Sequence, residues 1–550
     1  MTAPNGHEHD SRKAMRGLQI SLMLACLATV AYAENARTDS GGMVTEGLGS
    51  KAMNEARQQI LQSRQSLAED PFRPLYHFAS PKGKLWDPGG FCKWQGRYHL
   101  FYIGWGGKGH AVSDDLVHWQ DLPPIRELSG LTGQMITTAD TALLTVTKAR
   151  EGVQLATSSD PMLMEWEVNT VLPLSVLEGY QGPIDSCIWE EDGVFFIGLR
   201  KQTWEKGFYH LRGSKPELSV YRSKDLKKWD YDGVLLREDS YTQPGDDFAC
   251  PNFLPIGQDR RLLLWFSHPR GAMYEIGTCD RQKPEQKFVA EYHGRMQYGS
   301  VKLGSLHAPS AFPDSAESCF SIFNVSENLS HTGWEGMMSL PRHLSLHTDY
   351  LTEHGSKKGF RNFFSPLQIE PPPALETLRF NPVEIGGMDL TANREIVIPE
   401  VRGKAIEMEV VIDPKDAREV ELRVLRSPDG SEQTKICFFM QGWQRNKNAR
   451  ALSIDVSEAS LAPEVLARPP ETGLLYLEDR EPLRLRVFVD RSIIEVFANK
   501  RQCLTIRAYP TREDSSGISL VARGSEAKLV SLRAWQMRSI WPELKPQAGN

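Results

Sequence analysis

Apolar and polar positions alternate along most of this chain with the two-residue period of β-strands, in short runs broken by Gly, Pro and Asp. Between about residues 71 and 365 two patterns recur. One is a Gly turn between aromatic-rich runs, as at Trp94-Gln95-Gly96-Arg97-Tyr98 and Trp189-Glu190-Glu191-Asp192-Gly193-Val194-Phe195, with a looser copy at Leu254-Pro255-Ile256-Gly257. The other reads Ser-x-Asp-Leu-x-x-Trp, from Ser113 to Trp119 and from Ser223 to Trp229, with a degenerate copy at Ser159, Asp160 and Trp166. A small sheet that exposes both faces must stack on copies of itself to bury them. Repetition of these two patterns therefore predicts a radial array of sheets, a β-propeller, whose inner strands open onto one central funnel. The tryptophans Trp119, Trp166 and Trp229 are expected to fill the core between blades.

After the Pro-rich join Glu370-Pro371-Pro372-Pro373 the pattern becomes plain alternation, as in Ala405 to Ile412 and Leu483 to Asp490. That predicts an antiparallel β-sandwich. The chain thus reads as all-β, with a propeller over 71–368 followed by a C-terminal β-sandwich over 375–540. Residues 34–70 read as a linker with one short helix over Lys51 to Leu67. Residues 1–33 have the three parts of a secretory signal peptide: a basic stretch ending at Arg16, an apolar run from Gly17 to Val30, and Ala31-Tyr32-Ala33. The expected location is secreted or periplasmic, with lipid attachment at Cys26 as an alternative fate.

Charge and cysteine content narrow the partners. Sixty-four basic and 70 acidic residues give a formal charge of −6 with no long run of either sign. This argues against a nucleic-acid partner and, once the leader is removed, against a membrane partner. The eight cysteines are scattered without a Cys-x-x-Cys pair, which excludes the usual zinc spacing and a dense disulfide framework. No His/Asp/Glu cluster has metal-ligand spacing, so no metal and no cofactor is expected. The 13 tryptophans suit a β protein that binds something flat and polar.

Three acidic segments stand at the mouths of predicted inner strands. Asp87, in Leu85-Trp86-Asp87-Pro88-Gly89-Gly90, is held on a rigid turn and could serve as a nucleophile or as a simple turn starter. Asp185 leads directly into an apolar strand, where a carboxylate needs a donor or a ligand. Asp246 and Asp247 precede Phe248-Ala249-Cys250-Pro251. If the strand extends back through them, Asp247 and Ala249 share one face and Asp246 takes the other. Trp86 and Trp105 could form an apolar wall for a flat, polar partner. His99, His110 and His118 read as structural. His268 and His307 could line the pocket, with His307 the better placed.

These residues resemble glycoside hydrolase family 32, the invertase, inulinase and levanase group. Trp86-Asp87-Pro88-Gly89-Gly90 is similar to that family's nucleophile motif. Tyr98 to Tyr102, His110 to Ser113, Asp115 to Trp119, Gly333 to Gly336, Met338 to Arg342 and Phe488 to Asn499 match further segments in the right order. The resemblance covers roughly residues 72–540. It implies a five-bladed propeller plus sandwich, and a retaining attack on a fructofuranoside. It also implies Asp87 as nucleophile, Asp185 as the acid that grips two sugar hydroxyls, and an acid/base at the position before Cys250. That last position is Ala249 here, and the residues flanking Asp185 are Ile184 and Ser186 in place of the usual Arg and Pro. Asp247, or else Asp246, would have to supply the proton, although a shift of two strand residues moves a carboxylate about 7 Å and retaining pairs lie only about 5 Å apart. The expectation is a secreted retaining hydrolase of fructofuranosides or a related furanosyl glycan. The alternatives are an inverting arabinan-type furanosidase and a carbohydrate-binding propeller without activity. The sequence leaves the sugar and the oligomeric state open.

Overall fold

A computed structural model describes residues 50–541 apart from short stretches, the longest being 178–183, 203–215, 348–365 and 441–448. The leader and most of the linker before residue 50, and Trp105, lie outside the described residues.

Five sheets carry the propeller. The first four are antiparallel meanders whose inner strands are Pro88–Trp94, Leu131–Thr137, Ser186–Glu191 and Ala249–Pro255. The fifth runs inward to outward through Leu306–Pro313, Ser318–Val325, Arg342–Leu346 and Leu367–Glu370. Each inner strand packs against those of the neighbouring blades, and the fifth returns to the first, so the ring is closed. Where the chain enters, Gly83–Lys84 pairs in parallel with Trp334–Glu335.

The two repeated sequence patterns have local physical causes. Gln95 and Gly96, and again Asp192 and Gly193, have positive φ at both positions, the backbone that a two-residue hairpin needs to match strand twist. In the Ser-x-Asp-Leu pattern, the Asp115 carboxylate accepts the Val117 and His118 amides at 2.9 and 2.8 Å, and Asp225 does the same for Lys227 and Lys228 at 2.9 Å each. Leu116, Leu163 and Leu226 then turn left-handed, and the indoles of Trp166 and Trp229 donate back to the carbonyls of Leu163 and Leu226. Each copy is thus an acid-centred turn between the third and fourth strands of a blade. Trp119 lies 5 % exposed in the core, packed edge-on to Phe78.

The sandwich has two sheets. One is centred on Ala405–Asp413 and Leu483–Asp490, and the other on Gly517–Arg523 and Glu419–Arg426. The inward residues of their alternation, among them Val410, Leu422, Leu485 and Leu520, form a separate buried core. Asp490 ties this sandwich to the segment that feeds blade 1. Its fully buried carboxylate accepts the amides of Leu75, Tyr76 and His77 at 2.7, 2.8 and 2.9 Å and lies 2.9 Å from the His77 ring.

Candidate active site

Asp87, Asp185 and Asp247 each stand just before an inner strand, on blades 1, 3 and 4, and the closed ring brings them to one end of its axis. The main chain of Asp87 is fixed by blade 1: its carbonyl accepts the Ile103 amide at 3.0 Å, and Trp86 donates to the Ile103 carbonyl at 2.8 Å. A bulge between Pro88 and Gly90 follows, and similar bulges interrupt the inner strands of blades 2, 4 and 5 near the same end. Bulges re-aim side chains, which here frees a strand to present groups along the axis.

Blade 5 supplies the partner of Asp87. The Nδ1 of His307 is 2.9 Å from an Asp87 oxygen, both side chains being about one quarter exposed. Burial alone would raise the Asp87 pKa. The hydrogen bond and charge of His307, with His268 and Lys108 behind it, outweigh burial and hold the carboxyl below its ordinary value. Asp87 is therefore an ionised carboxylate in a small opening, the state a nucleophile requires. Lys108, on blade 1, is buried, and burial lowers its amine to about 7 against the opposing charge of Asp87.

Asp185 and Asp247 share one cation. Arg200, from the second strand of blade 3, donates from one terminal nitrogen to Asp185 at 2.8 Å and from the other to Asp247 at 3.0 Å, with its side chain 4 % exposed. Burial would lower its pKa, but the two carboxylates reverse the shift. The guanidinium that the family resemblance places directly before Asp185 is thus supplied across a strand pair by Arg200. The charge that Asp185 needs was foreseeable; the residue that brings it was not.

The Asp246–Asp247 pair does not continue the strand. Blade 4 begins at Ala249, Phe248 and Cys250 both have left-handed φ, and the register shifts between Ala249 and Asn252. The parity argument made from sequence fails for that reason. Asp246 is buried and saturated, accepting from the Gln243 amide at 2.6 Å, Ser267 Oγ at 2.6 Å, and Arg270 through both Nε and a terminal nitrogen. Asp247 accepts from Arg200, from the His268 amide at 3.2 Å and from the His268 Nδ1 at 2.6 Å. Burial would raise its pKa, but His268 and Arg200 lower it below the ordinary value. It too stays ionised. Cys250 sits half-buried in the bulge. Burial, then the charges of Asp185, Asp87 and Asp247, push its thiol well up.

Trp86 is 44 % exposed, with the Lys84 ammonium 4.0 Å above its ring and Lys84 paired to Glu335 at 2.6 Å. His99 and His110 form a buried pair 3.0 Å apart inside blade 1, and His118 caps its own turn through Asp115. Among the described residues no cysteine is in a disulfide, and no group of three or more His, Cys, Asp and Glu side chains is arranged to hold a metal ion.

Residues 77–355 match the N-terminal domain of glycosyl hydrolases family 32, and residues 374–536 match the family's C-terminal domain. The chain belongs to this family. The levanase of Bacillus subtilis (strain 168) is 26 % identical over 536 residues, covering 86 % of this chain and 72 % of the levanase. An insoluble beta-fructofuranosidase isoenzyme of Arabidopsis thaliana is 24 % identical, covering 88 % of this chain and 93 % of that protein. The crystal structure of fructan 1-exohydrolase IIa from Cichorium intybus superposes with a TM-score of 0.70 at 22 % identity, covering 86 % of this chain and 98 % of that one. The family is one of glycosidases of the fructofuranosidase type, and the propeller-plus-sandwich architecture is that of its solved structures.

Proposed function

We propose that the protein is an exported retaining hydrolase of β-fructofuranosides, with Asp87 as the nucleophile. The observation that carries this reading is the pairing of Asp87 with His307, which supports an ionised carboxylate at the mouth of blade 1. In this reading Asp87 attacks the anomeric carbon as the bond to the leaving oxygen breaks. A covalent glycosyl-enzyme forms, and water then hydrolyses it. Asp185, oriented by Arg200, accepts hydrogen bonds from two adjacent hydroxyls of the sugar ring. Trp86 forms one wall beyond the scissile bond.

Neither Asp246 nor Asp247 suits proton donation: Ser267 and Arg270 occupy the Asp246 oxygens, and His268 and Arg200 hold Asp247 below its ordinary pKa. With Ala249 in the usual acid's place, a sugar-binding propeller without turnover is the second reading. The deciding experiment incubates the purified protein with sucrose, inulin and levan and follows the anomer first released by NMR. Retention, with a hexosyl adduct on the Asp87 peptide after an acid quench, supports the proposal. Binding in calorimetry with no sugar released, and no loss of anything in Asp87→Asn, supports the second reading.

A further inference from the structure

We propose that His268, held by Asp247, is the proton donor of this enzyme and stands in for the carboxylic acid missing at Ala249. The inference rests on the hydrolase reading above.

The register of blade 4 makes the substitution geometric. Ala249 is paired directly with Phe266 across the first two strands. His268 lies two residues beyond Phe266, just past the end of Arg260–Ser267, and its amide reaches Asp247. Position 268 therefore stands opposite Asp247, about 7 Å along from the Ala249–Phe266 pair. The ring is anchored at one end only. Nδ1 is 2.6 Å from Asp247, while Nε2 has no hydrogen-bond partner among the described residues and the side chain is 43 % exposed. Its neighbours bring it close to Asp87: the His268 and His307 ring centroids are 6.1 Å apart, and His307 touches Asp87.

A carboxylate on Nδ1 fixes the tautomer and stabilises the imidazolium, which leaves the Nε2 proton to be given away. The groups around His268 are Asp247, Arg200 and Asp185, with Asp87 and His307 close by. Burial lowers the His268 pKa, and Asp247 by charge and hydrogen bond, helped by Asp185, outweighs burial and Arg200. Asp247 thus favours the imidazolium over the neutral ring. In the first step, Asp87 forms a bond to the anomeric carbon, the bond to the leaving oxygen breaks, and Nε2 delivers its proton to that oxygen. In the second, neutral Nε2 takes a proton from water as the water oxygen bonds to the anomeric carbon, and Asp87 leaves as a carboxylate. The charges balance over the two steps, and no further reactant is needed. Asp247 never touches substrate in this scheme and is a positioning residue.

The test measures kcat and kcat/KM against pH for the wild-type protein, His268→Ala and Asp247→Asn, on whichever of sucrose, inulin or levan the wild type hydrolyses. General acid catalysis contributes about 10²–10⁴-fold, so His268→Ala is expected to lose about 100-fold or more in kcat. Added imidazole should restore part of that loss, and Asp247→Asn should move the alkaline limb of the profile to lower pH. Retention of kcat within about threefold in His268→Ala, or an alkaline limb that stays put in Asp247→Asn, overturns the inference and leaves the hydrolase reading intact. A wild type inert on all three sugars overturns the hydrolase reading, and this inference with it. Should His268→Ala fail to fold, the Asp247→Asn pH profile decides alone.

Discussion

Asp87 and His307 are 220 positions apart in the chain, yet an imidazole nitrogen of one lies 2.9 Å from a carboxylate oxygen of the other. The contact joins the first blade to the last. It also sets the acidic side of the pH dependence. The folded Asp87 pKa is depressed, with His307 the largest of the groups opposing burial. Removing His307 raises that pKa, so the carboxylate protonates at higher pH. In His307→Gln the acidic limb of kcat/KM is expected to move up the pH scale, with a smaller loss near neutrality; a pH series on the purified variant checks it.

Arg200 neutralises two carboxylates at once from a position 4 % exposed. Taking one partner out of a buried ion pair costs about 3–5 kcal/mol because the remaining charge is stranded. Arg200→Ala should lose about that much stability in a denaturant titration, together with most of its sugar affinity. Arg200→Lys keeps the charge but not the two-pronged geometry, and it should restore neither fully.

Trp86 is solvent-facing while its backbone is pinned to Ile103. Its replacement by Ala should leave the fold and kcat nearly unchanged and raise KM by about 10-fold, the worth of roughly one stacked ring. Steady-state kinetics on sucrose and on a longer fructan, compared side by side, would show whether the wall serves the part beyond the scissile bond.

Glu432 gives the sandwich its own acid sensitivity. Its buried carboxylate accepts the Thr511 hydroxyl and amide at 2.5 and 2.9 Å, the Ser515 hydroxyl at 2.7 Å, and the amides of Arg512 and Leu461 at 3.0 Å each. Burial opposes ionisation, but these donors outweigh it and lower the pKa to about 2. The unfolded value is about 4.3, so the stabilisation is present above that pH and is lost as pH falls towards about 2. Glu432→Gln should lower the melting temperature at pH 7 and flatten its fall between pH 5 and 2, as followed by calorimetry.

Much of the architecture was legible because its signals are local. Gln95-Gly96 and Asp192-Gly193 need only their own backbone angles to specify hairpins, and Asp115 and Asp225 build their turns from amides two and three residues away. Asp87 and Asp185 stood out as candidates because rigid turns and apolar strands flank them. What escaped was everything set across strands. Arg200 reaches Asp185 from the neighbouring strand, and His268 reaches Asp247 by the register of blade 4. The parity rule for Asp246 and Asp247 presumed a strand where Phe248 and Cys250 adopt left-handed backbone. No spacing in a linear sequence announces such a bulge, because its stabilising contacts come from the ring that surrounds it.

Ring closure has a consequence for biogenesis. While the chain is being synthesised, the blade carrying Asp87 is complete long before Leu306–Pro313 emerges, and the outermost strand of the final blade comes only at Leu367–Glu370. A nascent chain shorter than this holds Asp87 without its histidine partner, and exposes the apolar flank that the last blade covers. The Asp87–His307 pair therefore forms in one late event, when the two ends of the circle meet, and such distant pairings make for slow folding.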